Sequence, residues 1–352
     1  MTPRSLLLAI LALASTAVAG ERAAPTPDGV GAAQLAYYRD VIHFNAGDAD
    51  PHRVLAAALL ARVVPLVEQH LAAAAAPGPE GGAVPTDARA PSLELLVAAQ
   101  ALAPDDPLVL WASVLDAQQQ VPPGQAPGET LQRLLAVDGD NAAAWIEWMH
   151  RHRDDPAAIA TGIEQAAASR HHAIRFLALA RALATAMQRV PLPPALQASG
   201  DAPAGDPDAV RYAQASGIVQ AVALPSLATL SKACDAAALE DPERRRHCLA
   251  VGRLLAEHAD SVLAEGLGIA IWLRAADSPA EEAAAKAKRR ASSWQRAAFV
   301  EWLQQDPDGQ RWAELGPLYR EPGLEERELI IRALAIAGIA ASPPGDWEPG
   351  VP

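Results

Sequence analysis

The sequence predicts an all-α protein, and three features of the chain support this prediction. Alanine and other strong helix formers dominate, and runs of β-branched residues are rare. Apolar residues recur at helical spacing, and almost no stretch alternates as a strand does. Helix starts are marked by Asp-Pro pairs at 155–156, 241–242 and 306–307, where Asp caps the helix and Pro occupies its first turn.

The same periodicity gives approximate bounds for each helix. Short connections between many of the helices predict antiparallel helix hairpins. The expected helices cover 30–46, 51–75, 92–103, 107–119, 128–137, 141–153, 156–169, 171–189, 208–233, 242–258, 260–275, 279–305, 308–319 and 323–340.

The N-terminus has the plan of a secretory signal peptide. Arg4 precedes a short apolar run, and Ala17-Val18-Ala19 presents the small side chains of a cleavage site. We therefore expect residues 1–19 to be removed between Ala19 and Gly20. The alternative is a membrane anchor, but the run falls short of the ~20 apolar residues that a spanning helix needs. No later stretch is expected to insert into a membrane.

The chain is acidic, with a formal net charge of −13. Loss of Arg4, the only charged residue of the signal segment, would change this charge to −14. Such a surface repels nucleic acid, so no nucleic-acid partner is expected. Only three of the 29 basic residues are Lys, a bias typical of GC-rich bacterial genomes, and this favours the periplasm or the extracellular space. We interpret the one basic run, 286–296, as the solvated face of an amphipathic helix.

Stretches rich in Pro and Gly divide the mature chain. They predict an N-terminal helical region at 20–190, a linker at 191–207, a C-terminal helical region at 208–340 and a flexible tail at 341–352. The pattern leaves open whether the two helical regions form one continuous superhelix or two subdomains.

A repeat of 34 residues separates Trp111 from Trp145. Each Trp lies one turn into a helix, behind the junctions "PDDPLVLW" and "DGDNAAAW"; in the second, Asn141 is placed to cap the helix. The segment "LAVDGDNAAAW" resembles the junction between tetratricopeptide repeats, which share this period. The resemblance covers about 92–170, and Leu115 and Met149 stand where the family has a small residue.

This resemblance implies helix hairpins stacked as a tetratricopeptide-like α-solenoid. The family's proteins are typically scaffolds that hold a partner in a concave groove. It therefore implies a protein or peptide partner. No ligand-binding residue of the family can be carried over, because no ligand motif is matched.

Histidine pairs are the first candidates for a metal site. His150 and His152 lie two apart on a predicted helix and point to nearly opposite faces, whereas a chelating pair needs a spacing of three or four. His171 and His172 are adjacent and diverge by about 100° on a helix of 3.6 residues per turn. One His of each pair could still meet across a hairpin, but we expect no metal and no cofactor, with these histidines partly exposed on helix surfaces.

Catalytic motifs are absent from the sequence, including G-x-S-x-G, S-x-x-K, H-E-x-x-H and the phosphate-binding glycine loops. The glycines of "GLGIAI" at 266–271 lie inside an apolar helix, where helix packing explains them better. Acidic pairs could be glycosidase carboxylates, but each lies at a predicted helix start and is better interpreted as a cap. These pairs are Asp138/Asp140, Asp206/Asp208 and Asp306/Asp308.

The two cysteines, Cys234 and Cys248, bracket a predicted helix turn, and each faces a core by its helical spacing. In an oxidising compartment this arrangement predicts a disulfide, and the alternative is two buried thiols. A redox-active pair is normally closer, as in C-x-x-C. Arg244 to Arg246, beside the pair, are interpreted as solvated.

Together these observations predict a non-enzymatic, secreted helical-repeat scaffold that binds a protein or peptide in the cell envelope. The alternative is a cell-envelope hydrolase whose site is assembled from distant His and Asp residues.

Overall fold

A computed structural model of the chain describes residues 27–75, 90–117, 128–198, 206–222, 227–305 and 310–349. This part of the chain is all-helical, as predicted, and contains sixteen α-helices, one 3₁₀ helix and two isolated backbone bridges. The predicted signal peptide at 1–19 and the pair Asp306/Asp308 lie outside the described residues.

The helices are numbered here in chain order. They are α1 (Pro27–Asn45), α2 (Pro51–Ala75), α3 (Ala90–Leu102), α4 (Pro107–Ala117), α5 (Glu129–Val137), α6 (Ala142–Arg151), α7 (Pro156–Ala168), α8 (Phe176–Met187), α9 (Pro194–Ala198), α10 (Pro207–Val222), α11 (Ala228–Ala233), α12 (Pro242–His258), α13 (Val262–Ala275), α14 (Pro279–Gln304), α15 (Gln310–Arg320) and α16 (Glu326–Ile336). The 3₁₀ helix is Ala238–Glu240.

Two predicted helices were wrong in extent. The expected helix at 208–233 is two helices, α10 and α11, and the sequence between them includes Pro225, which lies outside the described residues. A proline inside a helix has no N–H to donate and clashes with the preceding turn. The expected helix at 171–189 begins only at Phe176, because residues 171–172 form backbone bridges instead.

Asp side chains cap several helices as the sequence predicts. Asp155 accepts from the N–H of Ala157, and Asp241 accepts from the N–H of Glu243, each ahead of a Pro in the first turn. Asp206 caps α10 by accepting from the N–H of Asp208. These caps satisfy amide groups that have no partner inside the helix.

Two compact units divide the described chain by their internal contacts. The first takes its described residues from Met1–Asp116, Leu177–Ala223 and Asp306–Pro322, and the second from Ala117–Phe176, Leu224–Gln305 and Gly323–Pro352. Each of the predicted regions, 20–190 and 208–340, therefore contributes to both units.

In the first unit, α2 packs against α1, α3 and α10. Tyr37 is buried and donates from its hydroxyl to the carbonyl of Met187, while the Arg211 guanidinium donates to the Tyr37 oxygen. By length and composition, Pro51–Ala73 of α2 is apolar enough to cross a membrane, contrary to expectation. Half of that stretch is buried inside the fold, as in the core helix of a globular domain.

In the second unit the helices pack in a row. Helix α6 contacts α7, α7 contacts α12, α12 contacts α13, α13 contacts α14, and α14 contacts α16. The core of this unit combines apolar side chains of α6, α7, α12 and α13 with Cys234 and Cys248. The sulfur atoms of these two cysteines are 2.04 Å apart, so the predicted disulfide is present and fully buried.

The contact between α12 and α13 is made through glycine. A Cβ on Gly252 would lie 2.7 Å from the backbone nitrogen of Trp272, and one on Gly268 would lie 2.5 Å from that of Ala256. Only glycine allows the two backbones to come so close. Helix packing thus explains Gly268 of "GLGIAI", as predicted, whereas Gly266 makes no such close contact.

Candidate functional site

Buried polar groups of the second unit gather where three connecting segments meet. The segments join α5 to α6, α7 to α8, and α12 to α13. The backbone N–H of Ala142 donates to the carbonyl of His171 (2.9 Å), and the N–H of Asp260 donates to that of His172 (3.0 Å). We call this place the polar junction, and we define it by Asp138, Asn141, His171, His172, Arg175 and Asp260.

Asn141 has two roles in the polar junction. Its side-chain oxygen caps α6 by accepting from the N–H of Ala143 (3.0 Å), and it also accepts from the N–H of Ala173 (2.9 Å). Its amide nitrogen donates to the carbonyl of Ala173 and to the Asp138 carboxylate, both at 2.9 Å. The capping role follows from the sequence, whereas the link to Ala173, 32 residues away, does not.

Asp260 holds the other side of the same segment. Its carboxylate accepts from the N–H groups of Ile174 (2.9 Å) and Arg175 (2.6 Å). Burial raises the pKa of Asp260 to about 7, and this effect outweighs the two N–H bonds, which lower it. Arg175 has a φ of 58°, which is uncommon for a residue other than glycine.

Asp260 was not among the residues singled out from the sequence. A signal was present in "ADSV", because Ser261 caps α13 with its own hydroxyl. Asp260, which precedes Ser261, is therefore not needed as the cap of α13 and has a different role. Its partners lie more than 80 residues earlier in the chain, so the role itself could not be predicted.

His172 is buried, contrary to the expectation that the histidines lie partly exposed on helix surfaces. Only 1% of the residue is accessible, and within the described chain neither ring nitrogen has a hydrogen-bond partner. Burial lowers the pKa of His172 to about 4, so the ring is neutral at pH 7. The neighbouring His171 is half-buried, since successive side chains of an extended segment point to opposite sides.

Asp138, Asp140 and His171 bring ligand atoms within 4.8 Å of one another, a geometry that could hold a metal ion. Each carboxylate already has a cationic partner: Asp138 pairs with Arg175 at 2.6 Å, and Asp140 pairs with Arg170. His171 lies 3.7 Å from Asp138. The arrangement is therefore an ion-paired connection between segments, and a divalent cation would have to displace two guanidinium groups.

This grouping also corrects one sequence interpretation. Asp138 and Asp140 were expected to cap the start of α6, but Asn141 occupies that cap. Asp138 lies instead at the end of α5, where its carboxylate is free to reach Arg175 and His171. The spacing could not show this, because both partners are more than 30 residues away.

The histidines of α6 point apart, as their spacing predicts. Nδ1 of His150 lies 3.1 Å from the Thr229 hydroxyl, whereas the His152 ring stacks on Trp148 with 4.3 Å between ring centroids. Burial, reinforced by Arg153 and Arg151, lowers the pKa of His150. The structure thus does not bring His150 and His152 together.

The most buried residues of α6 do not include its two tryptophans. Ile146, Glu147 and Met149 are buried, while Trp145 and Trp148 are only half-buried. The carboxylate of Glu147 pairs with Arg151 one turn later, which neutralises a buried charge.

The two repeat tryptophans also occupy different surroundings. Trp111 of α4 is fully buried in the first unit. Trp145 belongs to the second unit and donates from Nε1 to the carbonyl of Gly139 at 2.8 Å. The identical spacing therefore does not place the two rings in equivalent pockets.

A cavity of about 370 Å³ lies beside the disulfide-bonded turn. Its lining mixes charges of both signs from Glu240, Arg245, Arg246 and Asp277. Arg245 donates to the carbonyl of Leu239, and Arg246 donates to Glu243. Both arginine residues are exposed, in agreement with their interpretation as solvated.

Comparison with family models, with curated proteins and with solved structures finds no match to this chain. Its function therefore has to be argued from its own residues.

Proposed function

We propose that the protein is a non-enzymatic, secreted helical scaffold that binds a protein or peptide partner in the cell envelope. The observation that carries the proposal is the row of helices in the second unit, in which each helix packs on the next in the order α6, α7, α12, α13, α14 and α16. A row of helices presents a long series of side chains along its faces, and helical-repeat proteins bind their partners with such surfaces. In its more specific form, the proposal is that the helices stack as a tetratricopeptide-like superhelix, as the resemblance of 92–170 implies.

The polar groups of the second unit support a structural role. The carboxylates of Asp138 and Asp260 and the amide of Asn141 hold segments together. A hydrolase assembled from distant residues would need such a group free to exchange a proton with substrate. Within the described part of the second unit, the His and Asp that converge are His171 and Asp138, and Asp138 is already ion-paired with Arg175.

Secretion is supported by two independent features of the chain. The buried disulfide between Cys234 and Cys248 is of the kind that persists in an oxidising compartment. The first 19 residues have the composition of a signal peptide. Edman sequencing of the exported protein should therefore begin at Gly20, and an exported product that still begins at Met1 would contradict this.

Affinity capture tests the binding function. The mature chain is immobilised and exposed to a bacterial periplasmic extract, beside an unrelated helical protein of similar net charge. We expect one protein or peptide to be retained in stoichiometric amount by the mature chain alone. The result that would overturn the proposal is degradation of an envelope polymer by the chain, lost in Asp138→Asn while the fold is kept.

A further inference from the structure

The C-terminal segment, expected to be a flexible tail at 341–352, is docked on α14 over its described part. The carbonyl of Ala340 accepts from the Trp294 indole N–H at 2.8 Å, and that of Ala341 accepts from the Gln295 amide at 3.2 Å. The indole ring of Trp347 meets that of Trp294 edge to face, with 5.5 Å between centroids. The segment thus runs antiparallel to the helix, and the expectation of a loose tail does not fit these residues.

Arg290 is the centre of this contact. Its guanidinium donates to the carbonyls of Trp347 (2.8 Å), Gly345 (3.0 Å) and Pro344. These bonds recognise the backbone of a proline-containing segment that turns at Gly345 and Asp346, where the N–H of Trp347 donates to the carbonyl of Pro344 at 3.1 Å. Proline fixes one backbone angle of the free peptide, which lowers the entropy cost of binding in a defined conformation. Trp294 beside Arg290 adds an aromatic contact to these hydrogen bonds.

The charges of the two partners are complementary. Helix α14 carries the basic run 286–296, which its sequence alone indicates only as a solvated face. In the tail, Asp346 and Glu348 flank Trp347, and both acids are exposed. The segment resembles a short acidic peptide with one aromatic anchor.

The tail is less buried on α14 than a permanent part of a fold would be. Over 341–349 the tail buries no residue completely; Ala341, Pro343, Trp347 and Pro349 are half-buried and the rest are exposed. Trp294 is itself only half-buried, beside the small core of Ala298, Ile330 and Leu334. A segment held mainly by one arginine and one aromatic pair can be displaced.

We propose that the face of α14 around Arg290 and Trp294 is a peptide-binding surface, and that the chain's own tail occupies it as an intramolecular competitor. The surface fits an acidic, proline-containing peptide that makes a turn ahead of an aromatic anchor. This inference rests on the proposed function and names the chemistry of the partner. Because the tail is tethered close by, its effective concentration is high, and an external peptide binds only by displacing it.

The test uses the full chain and a fluorescently labelled peptide of residues 340–350. In one variant, Pro344→Gly and Trp347→Ala release the tail without shortening the chain. We expect the peptide to bind this variant at least tenfold more tightly than it binds the natural chain, as measured by fluorescence anisotropy. A peptide of the same composition in scrambled order serves as the control for non-specific charge attraction.

Neighbouring arginines provide a matched pair of variants. Arg290→Ala in the tail-released chain should weaken binding at least tenfold, because three carbonyl bonds are lost. Arg289→Ala removes the same charge from an exposed position and should change binding less than twofold. Equal weakening by both variants, or equally weak binding of the peptide to natural and tail-released chains, would overturn the proposal.

A second measurement applies if the tail-released variant loses its helical circular dichroism. In the otherwise natural chain, Arg290→Ala should expose the tail to chymotrypsin at Trp347 several-fold more than Arg289→Ala does, and equal cleavage would overturn the proposal. Failure of the peptide to bind, with the captured partner still retained, would refute this inference alone and leave the proposed function standing.

Discussion

Two contacts within the second unit fix segments of the chain by different means. Helices α12 and α13 meet through Gly252 and Gly268, where the contact depends on shape and the absence of side chains. The polar junction joins three connecting segments through backbone bridges and through the side chains of Asn141 and Asp260. The comparison shows that a glycine contact can be perturbed by a single methyl group, whereas a polar contact responds to lost bonds and to pH.

The largest expected effect is on the glycine contact. Gly268→Ala would place a Cβ 2.5 Å from both the Ala256 nitrogen and the Leu255 Cβ, neither of which can move away alone. We expect the free energy of unfolding to fall by about 3 kcal/mol, the upper part of the range for overpacking. Urea unfolding measures the loss.

Gly266→Ala is the matched control in the same helix. Its Cβ would lie 3.6 Å from a guanidinium nitrogen of Arg296, an ordinary contact, and alanine favours the helix by about 1 kcal/mol. The free energy of unfolding should stay the same or rise. If both substitutions behave alike, close packing at Gly268 does not explain the contact.

The next effect concerns Asn141. Asn141→Ala removes a helix cap, which costs about 1 kcal/mol, and takes the side-chain partners from the half-buried N–H and carbonyl of Ala173. We expect a total loss of about 2–3 kcal/mol in the free energy of unfolding. Asp155→Ala removes an exposed cap with no second role and should cost about 1 kcal/mol. Equal losses in the two variants would show that the link to Ala173 contributes nothing.

In the natural chain the smallest effect is the net slope of stability against pH, because two groups oppose each other. The folded pKa of His172 is about 4, below its ordinary 6.5, so its contribution to stability is complete above pH 6.5 and is lost as pH falls toward 4. The folded pKa of Asp260 is about 7, above its ordinary 3.8, so its contribution is complete below pH 3.8 and is lost as pH rises to 7. Between pH 4 and 6.5 the two slopes cancel.

Asp260→Asn should reveal the slope of stability against pH that comes from His172. Without the carboxyl group, the slope that comes from His172 is no longer opposed by Asp260, and stability relative to the natural chain should rise by about 1.4 kcal/mol per pH unit from pH 4 to 6.5. His172→Phe should produce the opposite slope over the same range. Urea unfolding at pH 4.5, 5.5 and 6.5 measures both slopes, and curves parallel to that of the natural chain would refute the assignment.

The parts of this fold that could be predicted from the sequence are those set by local chemistry. The caps at Asp155 and Asp241, the packing of "GLGIAI" and the bridge between Cys234 and Cys248 depend on residues close together in the chain. The polar junction could not be predicted, because Asp260 and its partner Ile174 are 86 residues apart. The docking of the tail escaped prediction for a similar reason, since Arg290 and Trp347 are 57 residues apart.

The interleaving of the two units has a consequence for the order in which the protein folds. A domain made of one continuous stretch can fold as soon as that stretch leaves the ribosome or the translocation channel. Here the first unit includes residues as far along the chain as Pro322. The second unit begins at Ala117 and is completed only by α16. Neither unit has all its helices until nearly the whole chain has emerged, so both are completed in the last stage of synthesis or export, through contacts that close loops of many tens of residues.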